Sequence, residues 1–215
     1  MFNHTSHNIY YGFGFTNPRI WRLAPRGESF CLAVIVIRSS RRYMKTAIII
    51  IDVQNALFEK NPKPYESDDV IDRINFVSEQ ARKAGAPIFF IQHEHPEFLG
   101  YGSESWNLHS KLKALDSDFK IRKTEGNCFV RTDLDAQLKS KNITDLVICG
   151  YASEFCIDST TRSAAQSGYT VQLVSDSHTT DDKEHLSAEK IRNHHNETLS
   201  MSPQITIIKS GDIKF

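Results

Sequence analysis

Two residues of this 215-residue chain stand where their chemistry would be useful. Cys156, in "GYASEFC", follows the apolar run "DLVIC" and opens what reads as a helix. With Ser153 as the N-cap, Glu154, Phe155 and Cys156 take the first three helical positions. Cys156 then falls where free backbone N–H groups favour an anion. A thiol so placed is expected to have its pKa drawn from ~8.5 toward neutral, which suits a nucleophile. The position equally suits a small buried hydrophobe, the commoner use of cysteine. Asp52 is the second residue, at the end of "AIIIID". A carboxylate at the tip of a strand made of isoleucine needs a partner or a task, or it caps the following turn. Lys123 ends a short extended stretch, Phe119 to Arg122, in "FKIRKTEGNCF". On local sequence it is indistinguishable from Lys120 or Arg122.

The elements that must position these groups are legible in the hydrophobic pattern. "TAIIIID", "APIFFIQ", "DLVICG", "YTVQLVSD" and "QITIIK" read as strands, and Phe119 to Arg122 is a brief extended stretch. "TAIIIID" is apolar without interruption, as a parallel strand covered on both faces must be. Val70, Ile71, Ile74, Val77 and Ala81 are spaced for one face of a helix that Gly85 closes. "DLDAQLKSKN", "SEFCIDSTTRSAAQSG" and "HLSAEKIRNHHNETLSM" read as further helices. Alternating strands and helices predict right-handed βαβ crossovers. The expected fold is therefore α/β, a three-layer, doubly wound, Rossmann-like arrangement with a mostly parallel six-stranded sheet between helices. In such sheets ligands bind beyond the carboxyl ends of the strands, so Asp52, Gln92, His93 and the Gly150–Cys156 segment should meet on one rim.

Composition narrows the function classes. Twenty-six basic residues balance 26 acidic ones, so nothing draws the chain to nucleic acid or to an anionic membrane. Four cysteines, at 31, 128, 149 and 156, lack the close pairs of a zinc site and the density of a disulfide scaffold. A reducing cytoplasm is the expected location. The run "FCLAVIVI" falls far short of the ~20 residues that span a bilayer, and it lies deep in the chain without a small-residue cleavage site. Residues 1–43 show neither period and are expected to be a poorly ordered extension before a domain at 44–215. "DVQNALF" after the first strand has no glycine-rich phosphate loop, which argues against a nucleotide-binding Rossmann domain. A phosphoacceptor domain would need clustered acids for magnesium, and "IIIIDVQN" offers one.

"AIIIIDVQNALF", "IRKTEGNCF" and "LVICGYASEFCIDSTTRSAAQSGYTVQLVSDSHTT", in that order, resemble the isochorismatase-like cysteine hydrolase superfamily, which includes nicotinamidases and N-carbamoylsarcosine amidases. The resemblance runs from Met44 to about the end and takes in "GSESWNLHSKL" and "HHNETL". It implies a catalytic triad of Asp52, Lys123 and Cys156 and a non-proline cis peptide between Tyr151 and Ala152. It further implies acyl transfer: Asp52 accepts the thiol proton, Lys123 holds Asp52, and the N–H groups of Ala152 and Cys156 receive the oxyanion. Relatives that cleave the vinyl ether of isochorismate typically lack the cysteine, so a small amide or ureido C–N bond is the expected target. A vinyl-ether hydrolase and a non-catalytic oligomeric interaction module are the alternatives. Metal-binding relatives use an Asp-x-His and a later His. His93, His95 and His109 stand in that region of "QHEHP…GSESWNLH", but the aspartate is missing, so no metal and no cofactor is expected. Phe58, Trp106, Tyr151 and Phe155 are rim aromatics able to enclose a small planar substrate, or to pack in the core. His93 is expected to hydrogen-bond the substrate. Gln54 and Asn55 should organise the turn after Asp52, Cys149 should be core, Cys128 should lie near the site, and His194 and His195 should be solvated. Relatives commonly form homodimers or homotetramers, and the same is expected here.

Overall fold

The computed structural model describes residues 45–215. The extension expected at 1–43, and Cys31 within it, lie outside the described residues. In chain order the elements are β1 (Lys45–Ile51), a single turn α1 (Asn55–Phe58), α2 (Ser67–Ala84), β2 (Ile88–His93), β3 (Phe119–Lys123), α3 (Leu134–Ser140) and β4 (Ile143–Tyr151). A π turn (Ser153–Ile157) then runs into α4 (Asp158–Gln166), followed by β5 (Thr170–Thr179), α5 (Ala188–Ser200) and β6 (Ile205–Ile208). The six strands lie in the order β3-β2-β1-β4-β5-β6, and every neighbouring pair is parallel.

The isoleucine run explains the three layers. Ala47 through Ile51 are all buried, and alternate side chains enter opposite cores. Ala47, Ile49 and Ile51 pack with Leu134 and Leu138 of α3, Ala164 of α4 and Leu199 of α5. Ile48 and Ile50 pack with Val70, Ile71, Ile74, Val77 and Ala81 of α2. Gly85 ends α2 in the left-handed region at φ 74°, its N–H returning to Ala81 O and Arg82 O. Succession runs outward from β1 to β2 and β3 on one side, and from β4 to β5 and β6 on the other. The crevice between the carboxyl ends of β1 and β4 is the topological switch point where such sheets bind ligands.

Two local features depart from the sequence expectation, and both adjoin that crevice. Ser153 is not the N-cap. The cap is Ala152, in extended conformation at φ −98° and ψ 145°, and its carbonyl accepts from both Phe155 N–H (3.0 Å) and Ile157 N–H (3.1 Å). The first turn is widened to a π turn, a feature frequent at functional sites, so Cys156 is the fourth residue after the cap instead of the third. The other departure is β5, which was expected to end near Asp176. After a register shift beyond Ile148 it pairs His178 with Gly150 and Thr179 with Tyr151. Gly150 is required by the close approach of β1: at φ 126°, an added Cβ would lie 2.1 Å from Ile51 O. Among the described residues no helix is long and apolar enough to cross a membrane.

Candidate active site

Asp52 follows β1 directly. Its backbone stands in the left-handed region at φ 54°, its N–H donates to Ile91 O at 2.9 Å, and it is 1% exposed. Lys123 is the last residue of β3 and pairs in register with His93, the last residue of β2. Cys156, 5% exposed, comes from the π turn beyond β4. The Lys123 ammonium joins them. Its Nζ lies 2.7 Å from Asp52 Oδ2, 3.1 Å from His93 Nδ1 and 3.3 Å from Cys156 Sγ, and it also donates to Glu125 O at 3.1 Å. Asp52 Oδ1 is buried and has no hydrogen-bond donor. Because His93 Nδ1 accepts from an ammonium, the neutral ring carries its proton on Nε2.

Charge and burial set the protonation states. Burial alone would depress the Lys123 ammonium, but the Asp52 carboxylate outweighs it and holds the group above the ordinary lysine range. Burial, then Asp52, push the Cys156 thiol upward against the pull of Lys123. This reverses the expectation of a thiol near neutral: a desolvated sulfur beside a carboxylate outweighs the helix end, so at rest the proton stays on sulfur. Burial, then Lys123, lower His93. Burial pushes the Cys128 thiol to about 12, and Thr160 Oγ1 donates to its sulfur at 3.2 Å. Cys149 is wholly buried on β4.

His93, His95 and His109 do not form a ligand set. His95 stacks on Phe98 at 4.3 Å, and His109 Nε2 sits 2.5 Å from Glu59 Oε1. Among the described residues, the group close enough to hold an ion is Asp52, His93 and Cys156, with ligand atoms within 4.8 Å of one another. The Lys123 ammonium contacts all three, so the cluster already contains its cation.

The Tyr151–Ala152 peptide is cis. Ala152 O takes the N–H groups of Phe155 and Ile157 and passes over Cys156 between them. Tyr151 is half-buried, its hydroxyl donating to Asp181 Oδ2 at 2.5 Å and accepting from Lys60 Nζ at 3.1 Å. Phe58 is fully buried and edge-on to Tyr151 at 5.8 Å, so it backs that ring from within the core and presents no surface of its own. Trp106 is half-buried and its Nε1 has no partner. Phe155 is 59% exposed, and its ring lies close over Gly126. Gln54 ties the ends of β1 and β2: its Oε1 accepts from His93 N–H at 2.8 Å, and its Nε2 donates to His93 O at 3.0 Å and Trp106 O at 2.8 Å. Asn55 Nδ2 donates to Glu104 O. His194 is exposed, whereas His195 contacts Asp158 on α4 at 3.1 Å.

Sequence reasoning missed the polar groups beneath the turn: His178, Asn196, Asp181 and Lys60. A signal existed in "VSDSHTT", where a histidine directly continues a buried strand.

The isochorismatase-domain family profile matches residues 46–202. The chain belongs to the isochorismatase family. The uncharacterized isochorismatase family protein YddQ of Bacillus subtilis is 32% identical over 138 residues, 62% of this chain and 77% of its own length. Streptothricin hydrolase of Streptomyces noursei is also 32% identical, over 63% of this chain but only 50% of that enzyme. Ureidoacrylate amidohydrolase RutB of Caulobacter segnis is 28% identical over 54% of this chain and 65% of its own. A crystal structure of an isochorismatase family protein superimposes with a TM-score of 0.72 at 36% identity, covering 76% of this chain and 98% of that one. As an isochorismatase-family chain, this protein is a hydrolase of α/β fold.

Proposed function

We propose that this isochorismatase-family hydrolase cleaves a small amide or ureido C–N bond through a thioester on Cys156. The observation that carries the reading is the single buried ammonium of Lys123 within hydrogen-bond reach of both Asp52 Oδ2 and Cys156 Sγ. The names of two relatives, an amidohydrolase and a streptothricin hydrolase, support it. As sulfur attacks the carbonyl carbon, its proton passes to Asp52, whose Oδ1 is open. Lys123 stays cationic and balances the charge that moves from carboxylate to sulfur to oxyanion. The N–H groups of Ala152 and Cys156 receive the oxyanion. Its collapse breaks the C–N bond, and the proton on Asp52 leaves with the amine. Water then attacks the thioester with Asp52 again as base, releasing the acid and restoring the thiol. In this reading His93 donates through Nε2–H to the acyl side of the substrate, and Tyr151, Trp106 and Phe155 flank it.

Ammonia release from a panel of nicotinamide, ureidoacrylate, N-carbamoyl compounds and maleamate tests the reading. Turnover of at least one is expected, with loss of activity and retention of fold in Cys156→Ala. Undiminished turnover in that variant would refute a covalent thioester.

A further inference from the structure

Beneath the nucleophile turn lies a second chain of polar side chains, two of them buried and the third half-buried, that the reaction does not use. Ser153 Oγ and His178 Nδ1 are 2.8 Å apart, His178 Nε2 and Asn196 Oδ1 are 2.9 Å apart, and Asn196 Nδ2 donates to Ser175 O at 3.1 Å. Neither Ser153 nor His178 has any exposed surface. The direction of every bond follows from one end. Ser175 O can only accept, so the Asn196 amide nitrogen faces it and the amide oxygen faces His178. His178 Nε2 must therefore carry a proton, Nδ1 must be the acceptor, and the Ser153 hydroxyl must donate. The Ser153 side chain is thus bonded to His178 and makes no hydrogen bond to the N–H groups of its own turn.

His178 also pairs through its backbone with Gly150. One residue thus grips the segment at both ends, by its main chain at Gly150 and by its imidazole at Ser153. Between those points lie Tyr151 and Ala152. Burial lowers His178 to a pKa of about 4, so the ring remains a neutral acceptor at neutral pH.

We propose that Ser153, His178 and Asn196 form a neutral relay that positions the Gly150–Ser153 backbone, setting the N–H groups that receive the oxyanion without acting on the sulfur itself. Ser153, His178 and Asn196 are positioning residues, and the proposal rests on the acyl-transfer reading above. It separates two reactions of one thiol. Acylation passes through an oxyanion and needs the aligned N–H groups, whereas alkylation does not.

Acetylation of Cys156 by p-nitrophenyl acetate and its alkylation by iodoacetamide, each followed by mass spectrometry against Cys156→Ala, make the comparison. Asn196→Ala and Ser153→Ala should slow acetylation about tenfold and leave alkylation within about twofold, the pattern of a misaligned oxyanion site. Asn196→Asp, which keeps an acceptor for Nε2–H, should restore acetylation. Equal slowing of both reactions, or of neither, overturns the proposal. Imidazole nitrogen shifts of labelled wild-type protein at pH 7 provide a check independent of activity: a proton on His178 Nε2 supports the relay, and a proton on Nδ1 overturns it. Should wild-type Cys156 take up no acetyl group, the acyl-transfer reading falls, and the nitrogen shifts alone decide the relay.

Discussion

Two trios of polar side chains meet at the end of β4, one buried and one nearly so, and they are built on opposite principles. Asp52, Lys123 and Cys156 are gathered around a full positive charge, come from the ends of three different strands, and leave one oxygen of Asp52 without a donor. Ser153, His178 and Asn196 carry no net charge, and each ring or amide atom in the chain has its partner. In the proposed mechanism the first arrangement moves a proton, whereas the second is satisfied as it stands. A buried polar network with every bond made stiffens its surroundings, whereas a buried ion pair with an open acceptor has a bond still to make. The Gly150–Cys156 segment supplies one member to each trio, Cys156 to the charged one and Ser153 to the neutral one.

Gly150 serves both trios, and the largest effect is expected there. Gly150→Ala forces a Cβ to within 2.1 Å of Ile51 O, so the β1–β4 contact must open, and loss of soluble, cooperatively folding protein is expected in expression and thermal melts. The charged trio should be the next most sensitive. Lys123→Met leaves Asp52 buried without its cation, at a cost of about 3–5 kcal/mol in urea unfolding. Combining it with Asp52→Leu should recover most of that stability while leaving the protein inactive. A double variant no more stable than the single one would mean that charge burial is not what the pair is about.

The neutral trio should respond less to truncation. His178→Ala leaves two polar partners unpaired, with an expected loss of about 1–3 kcal/mol. Its signature is pH. In the folded chain His178 titrates near 4 against 6.5 in the unfolded chain, through burial first, with Arg192 and His195 pushing the same way and Asn196 and Asp176 opposing. Above pH 6.5 both states are neutral and stability is complete. As pH falls through 6.5 the unfolded chain takes a proton that the folded chain refuses until about 4, so stability declines across that window, by roughly 3 kcal/mol at most. Glu66, lowered to about 2 by its arginine partners despite burial, adds a loss between about 4.5 and 2. His178→Gln should shrink the upper decline, leaving the part that the likewise lowered His93 contributes, and keep the lower, as read from unfolding midpoints at stepped pH. The smallest effect is expected at the His195–Asp158 contact: His195→Ala should cost less than about 1 kcal/mol, the usual worth of a partly exposed pair.

The contrast also explains what could be read from the chain. Four consecutive isoleucines and the spacing of α2 announce a covered parallel sheet, because burial on two faces leaves no room for alternation. Asp52 and Cys156 stand out because a charge or a thiol at a strand end or helix start is unusual. Lys123 emerged only through the family resemblance, since nothing local distinguishes one lysine of "FKIRK" from its neighbours. The neutral trio was invisible for a different reason. Serine, histidine and asparagine are ordinary on surfaces, and only the continuation of β5 past a register shift, which no periodicity encodes, brings His178 beneath Ser153. The π turn escaped notice for the same reason: Ser153 suits an N-cap well, and the competing bond to His178 is a tertiary contact.

The strand order has a temporal side. β1 occupies the middle of the sheet, yet its β4 partner lies far along the chain, with Ile50 registered against Cys149. A ribosome adding ~5–20 residues per second needs roughly 5–20 s to supply that partner. Throughout that interval the fully apolar core of β1, "AIIII", has no neighbour on its β4 side. Newly made chains should therefore depend most on chaperones, or on rapid pairing of β1 with β2, during the seconds before Cys156 is synthesised.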